Sequence, residues 1–235
     1  YKTGRIKLGT ESNGDFKNIT ITNCIFDECR GLAIESVDGS HIEDIAVSNI
    51  TMRSPASDPI FIRLGSRLRG PDSPPVGSIK RININNVVVS NANGDYATTI
   101  SAIPGHYIED IRISNVHMEY AGGGAIELRD IVPPENETKY PEPGMFGPVP
   151  AYAFFLRHVR SVEMNQIKIT YIKPEARAAF VLADAHEAFF SDMNIKSGIN
   201  SAATFDLRNV SNFSVRDSRG VKDKSITKLV KSTTV

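Results

Sequence analysis

One phrase recurs seven times along this 235-residue chain, and it restricts the fold more than any other feature of the sequence. The copies are FKNITITNCIF from Phe16, IEDIAVSNITM from Ile42, IKRININNVVV from Ile79, IEDIRISNVHM from Ile108, VRSVEMNQIKI from Val159, EAFFSDMNIK from Glu187 and VSNFSVRDSR from Val210. Apolar and polar residues alternate within each copy, the period of a strand with one buried face. Taking Ile19, Ile45, Ile82, Ile111, Val162, Phe190 and Phe213 as equivalent gives intervals of 26, 37, 29, 51, 28 and 23 residues. A unit of that size cannot bury its own apolar face, so it has to stack on its neighbours.

A second short strand follows each anchor: Leu32–Val37, Ile60–Gly65, Thr98–Ile103, Phe154–Val159, Ala179–Asp184 and Thr204–Arg208, with Gly4–Thr10 as the same strand of an earlier unit. Strands of this length joined by tight turns, with no long helical stripe, predict an all-β fold, a single-stranded parallel β-helix. It spans residues 1–220, and 221–235 form a polar tail or end cap in which Ile226, Leu229 and Val230 are spaced for a short amphipathic turn. Asn23, Asn49, Asn86, Asn115 and Asn194 occupy matching positions, with Gln166 and Asp217 in the other copies. Asn tolerates bends that other residues avoid and can pair with its neighbour above and below, so these positions predict a ladder at one corner.

Lys plus Arg equals Asp plus Glu at 27 each. That balance argues against nucleic acid or an anionic membrane as partner, and no apolar run is long enough to span a bilayer. No His/Cys cluster has metal-ligand spacing, so no metal or cofactor is expected. Of the two cysteines, Cys24 falls at a core position held elsewhere by Ile50, Val87 and Val116; a small buried hydrophobe and a Cys24–Cys29 disulfide both remain open. The chain opens on Tyr1 with a repeat almost at once, which predicts a β-helix incomplete at its N-terminal end, the missing coils belonging to the same protein.

The two long intervals carry the loops Gly65–Gly77 and Gly122–Pro150, on opposite flanks of the second strands. Insertions on one side of a solenoid mark its binding face. Alternation along the second strands turns Arg5, Lys7, Glu35, Phe61, Arg63, Phe155 and Arg157 outward. Neighbouring coils lie ~4.8 Å apart, so Arg63 and Arg157 fall on one basic row, joined by Arg67 and Arg69 from the first loop. Such a row suits a linear polymer bearing repeated carboxylates. Tyr140, Phe146 and Tyr152 are candidates for stacking on sugar rings, and Glu142 sits between two prolines to line the cleft. The candidate substrate-binding set is therefore Arg5, Lys7, Glu35, Arg63, Arg67, Tyr140 and Arg157. His41 and His106 read as solvated turn residues and His158 as a satisfied core histidine; no Ser/His/Asp set emerges.

GRIKLGTESNGDFKNITITNCIFDECRGLAIES resembles the coils that follow the catalytic carboxylates in glycoside hydrolase family 28, the polygalacturonase family. YPEPGMFGPVPAYAFFLRHV resembles a segment of its bacterial members, and the likeness extends to about Asn194. The resemblance implies a right-handed β-helix, an acidic polysaccharide or oligosaccharide partner, a secreted or periplasmic location, and inverting hydrolysis by carboxylates roughly 6.5–9.5 Å apart. The family's N-T-D and D-D motifs occur nowhere in the chain, so the catalytic residues are expected upstream of Tyr1. Its histidine motif aligns with Thr3-Gly4-Arg5, and its substrate-binding R-I-K with Ala33-Ile34-Glu35, one coil after the literal Arg5-Ile6-Lys7. That replacement points to a subfamily acting on a related pectic chain or on chain ends. A non-catalytic carbohydrate-binding β-helix and a β-helix polysaccharide lyase are the alternative readings.

Overall fold

Alternation makes each repeat a strand with one apolar face, and the strands pair edge to edge so that those faces share one core. The computed structural model describes residues 4–70, 74–200 and 202–235. Residues 1–3, of which Thr3 belongs to the stretch aligned above with the histidine motif, residues 71–73 of the first long loop and Ser201 lie outside the described residues. The fold is all-β. Its strands are β1 (Ile6–Leu8), β2 (Phe16–Asp27), β3 (Leu32–Ser36), β4 (His41–Arg53), β5 (Ile60–Leu64), β6 (Ser78–Ala92), β7 (Thr98–Ser101), β8 (Ile108–Gly122), β9 (Ala151–Lys173), β10 (Ala178–Ile195), β11 (Phe205–Arg216), β12 (Lys224–Ile226) and β13 (Val230–Thr234). Among the described residues no helix is long and apolar enough to cross a membrane.

All these strands belong to one sheet, parallel except for its last two members. The path runs β1-β3-β5-β7 to β9 and returns through β8-β6-β4 to β2, so the sheet curls until it is nearly closed. Its two arms enclose one core. The long strands stack in register, placing Ile19, Ile45, Ile82, Ile111 and Val162 in one column. The sixth member is Ala188, which pairs with Val162 and with Phe213. The Phe190 anchor assumed above is therefore two residues out of register; Phe190 stands opposite Met164. Its ring fills a wider part of the core beside Phe205 (4.9 Å) and Phe213 (5.6 Å), where Ala185 and Ala188 leave room.

Each long strand is bent where a side chain adopts left-handed backbone. One such series is Asn23, Asn49, Asn86, Asn115, Gln166, Asp192 and Asp217. Asp192 takes the place expected of Asn194, for the same two-residue reason, since Asn194 pairs with Lys168. Asn side chains tolerate this backbone better than most. They also bond to one another: Asn49 Nδ2 donates to Asn23 Oδ1 (3.0 Å), Asn86 to Asn49 (2.7 Å) and Asn115 to Asn86 (3.3 Å). In β9, β10 and β11 the corner before the long strand shrinks to His158, Asp184 and Asn209, all left-handed. The short and long strands of those repeats therefore run on without a break.

Cys24 packs partly buried against the core edge, Cys29 is buried, and both thiols are free. After Gly220 the backbone stays extended where a short amphipathic turn was expected. There β12 and β13 pair antiparallel with β11 and leave Leu229 exposed.

Candidate functional site

Outward position on the second strands does not mean exposure. Glu35, Arg63, Ser101, Arg157, Ala183 and Arg208 form one row in the parallel register. The loop between β8 and β9 lies across that row. Its Phe146 and Val149 cover Phe61 and Phe155, making a second apolar cluster on the outside of the sheet.

The loop's backbone carbonyls then satisfy the arginines. Arg63 Nη2 donates to Glu135 O (2.8 Å) and its Nη1 to Ala102 O (2.8 Å). Arg157 Nη1 and Nη2 donate to Pro133 O (2.7 Å) and Pro134 O (3.2 Å). Arg208 donates to Ile131 O (3.0 Å) and Arg129 O (2.6 Å). Arg63 is 0% and Arg157 3% exposed. The expectation that Arg63 and Arg157 offer free guanidinium groups to a polymer is therefore corrected: they strap the loop down. Burial pushes the Arg63 pKa down to about 10, with the nearby Arg157 charge adding to the effect. Phe146 and Tyr152 are buried too and cannot stack on a sugar.

The other predicted residues converge at β1. Glu35 is aligned with Gly9, where the backbone passes so closely that a Cβ would stand 2.4 Å from Glu35 O, at a φ of +111° that glycine alone adopts without strain. Glu35 is fully buried. Its Oε2 takes Lys7 Nζ at 2.8 Å and the Thr10 hydroxyl at 3.0 Å. Arg5 Nη1 lies 3.9 Å from Glu35 Oε1, and Arg5 Nη2 donates to Glu142 Oε2 at 3.1 Å. Lys7 Nζ also donates to Tyr140 Oη (3.3 Å), and the Tyr140 ring lies 5.0 Å from that ammonium. Burial raises the Glu35 pKa above the ordinary carboxylate value, against the pull of the Lys7 and Thr10 hydrogen bonds. Arg67 is held by Asp38 through both donors and leans towards the Tyr140 ring at 5.6 Å.

The cluster thus joins five predicted residues, Arg5, Lys7, Glu35, Arg67 and Tyr140, with Glu142. Thr10 and Asp38 were missed; both lie in turns, where alternation carries no signal. Tyr140 is 51% exposed and Glu142 is part-exposed, so the rim is open to solvent. The cavity beside it, about 430 Å³, is lined by Arg30, Ser57, Tyr96, Glu142 and Gly144.

A second polar network sits at the corner of β9–β11. His158 Nδ1 faces Asp184 (2.7 Å) and its Nε2 faces Glu135 (3.3 Å). Burial opposes the His158 charge, but these two carboxylates outweigh it and raise the pKa. Asp184 also meets His186 (3.2 Å), which meets Ser211 (2.7 Å). The sequence pattern did not reveal this Ser/His/Asp line. Asp184 divides itself among His158, His186 and Asn209 (2.9 Å), which makes it a cross-link at the corner, not a dedicated partner for one imidazole. His41 and His106 are both exposed; His106 lies in a turn as expected, whereas His41 opens β4 and its Nδ1 meets Ser78 Oγ (2.8 Å). Among the described residues no group of His, Cys, Asp and Glu is arranged to hold a metal ion.

Comparisons of the chain with protein-family models, curated proteins and solved structures gave no match.

Proposed function

We propose that the chain is the C-terminal part of a pectic glycoside hydrolase built as a right-handed parallel β-helix. The Arg5–Lys7–Glu35–Tyr140 cluster lines its substrate groove. Two lines of support meet here. The stretch from Gly4 to Ser36 resembles glycoside hydrolase family 28, and the repeat-on-repeat register is what stacked coils require. The observation that carries the functional reading is this cluster: charged and hydroxyl groups packed beneath an exposed tyrosine, within that same stretch.

On this reading the reacting carboxylates come from chain preceding Tyr1. One protonates the leaving oxygen and the other activates water, with inversion. The residues described here bind and orient. Lys7 and Arg5 supply donors, Tyr140 offers a ring face, and the strapped loop keeps Tyr140 and Glu142 over β1. The protein acts outside the cytoplasm, where pectic polymers are met.

Calorimetric titration with a pectic oligosaccharide carrying both uronate and neutral sugars tests this. Binding is expected to weaken about tenfold, or ~1.4 kcal/mol, in Tyr140→Ala and in Lys7→Ala. The segment by itself is expected to release no reducing ends. Affinity indifferent to both substitutions, or hydrolysis by the segment alone, would refute the proposal.

A further inference from the structure

The cavity beside the β1 cluster collects donors that the chain itself leaves unused. Arg30, Ser57 and Tyr96 all line it, each from a different turn between a long strand and the next short one. Those turns stack through backbone hydrogen bonds: Ala56 N donates to Cys29 O (2.7 Å) and Asn93 N to Pro55 O (3.2 Å). Ser57 is only 8% exposed and Tyr96 is half-buried, yet neither hydroxyl bonds to another described residue. The Arg30 guanidinium makes no hydrogen bond among the described residues either. Its side chain is 45% exposed, and its nearest carboxylate oxygen, on Glu142, lies 3.8 Å away.

Local charge decides which ligand these donors suit. Glu142 is shared among Arg5 Nη2 (3.1 Å), Lys7 Nζ (4.0 Å) and Arg30 Nη1 (3.8 Å), while Glu35 holds Lys7 at 2.8 Å. Three cations thus face two carboxylates, and Arg30, the most exposed of the three, carries the surplus. Asp58, next to Ser57, is buried with its pKa pushed up to about 8, so it adds no negative charge at neutral pH. A guanidinium binds a carboxylate through two parallel hydrogen bonds, and the two hydroxyls can donate to the same group. A neutral sugar would leave the surplus charge unmatched.

Tyr96 and Gly144 also line a second cavity, of about 400 Å³, with Gly94, Gly124 and Leu128. The guanidinium at its wall, on Arg177, is already held by Glu175 at 2.9 Å. The trough therefore continues past Tyr96 with room for units that bring no charge.

We propose that Arg30, Ser57 and Tyr96 form a carboxylate-binding subsite for one uronate of a saccharide chain, whose next units run past Tyr96 into the neighbouring cavity. The inference rests on the pectic reading of the protein and moves uronate recognition from the row on the short strands to the turns beside it.

The test is calorimetric titration of the whole chain with an oligogalacturonate and with a neutral galacto-oligosaccharide of equal length. The oligogalacturonate is expected to bind at least tenfold more tightly. Arg30→Gln, at an exposed position, is expected to abolish that preference. Ser57→Ala and Tyr96→Phe each remove one hydroxyl and are expected to weaken uronate binding about fivefold. Equal binding of the two ligands, a preference that survives in Arg30→Gln, or uronate binding unchanged in both hydroxyl variants overturns the inference. Sensitivity to Tyr140→Ala in the same titrations would then leave the pectic reading standing. Absence of binding by either ligand overturns both.

Discussion

Burial decides the protonation of Asp58 more than residue type does. The side chain is 1% exposed and its Oδ2 has no partner, and burial pushes its pKa up to about 8 against the Thr99 hydrogen bond. The folded chain therefore holds a proton that the unfolded chain releases above a pKa near 3.8. The folded state binds more protons between those values, so this residue makes stability fall as pH rises from about 4 to 8. Asp58→Asn keeps the shape and removes the ionisation. It is expected to flatten that slope and to raise stability at pH 8 by roughly 2–5 kcal/mol, at about 1.4 kcal/mol for each unit of displacement. Urea melts at pH 5 and pH 8 check this; a slope unchanged in the variant would rule the account out. The partly exposed surface ladder Lys17–Glu43–Lys80–Glu109–Arg160 works at a different magnitude. Its solvated pairs, such as Lys80–Glu43 at 3.2 Å, contribute about 0–1 kcal/mol each. Their alternating signs favour the order of the repeats, since a pairing that skipped one repeat would set Lys17 against Lys80 or Glu43 against Glu109.

The element that sets the site is the loop between β8 and β9, and three arginines hold it. Hydrogen bonds from a charged donor contribute about 1.5–3 kcal/mol each, so Arg157, which bonds Pro133 O and Pro134 O, should be a strong strap. Arg157→Ala is expected to lower stability by roughly 2–4 kcal/mol on that scale. It should also speed amide exchange across 129–137 at least tenfold while the β9 ladder stays protected. Arg157→Lys should rescue little, because an ammonium cannot reproduce the planar fork. Uniform exchange across loop and strand would show that the strap is not local. His158 adds a pH-dependent hold through Glu135. Its raised pKa makes that contribution full below about 6.5, the ordinary histidine value, and lost as pH rises through the folded-state pKa. The sequence showed Arg63 and Arg157 facing outward with the right spacing. It could not show that carbonyls 23 to 79 residues away in the chain would take up the donors of all three arginines.

At the scale of the molecule, stability comes from columns of apolar side chains that run from repeat to repeat, such as Ile42–Ile79–Ile108–Val159. A stack of this kind has a hazard at its ends, where unpaired backbone invites another chain. At β11 the antiparallel strands β12 and β13 occupy that edge. Deleting residues 224–235 is expected to turn the protein into a self-associating species, visible as a rising scattering mass with concentration. A variant that stays monomeric and melts cooperatively would contradict this. Strand identity, parallel pairing and most of the column order followed from the sequence alone, because alternation within a repeat is a local property that stacking preserves. The Phe190 and Asn194 assignments slipped by two residues, since alternation looks the same at every second position and only side-chain volume across the core separates Ala188 from Phe190. Which outward residues meet solvent was settled by tertiary structure. One loop crosses the face, quenches Arg63 and Arg157, and covers the cluster at β1 except at its exposed Tyr140 rim, and no local period encodes where a long loop comes to rest.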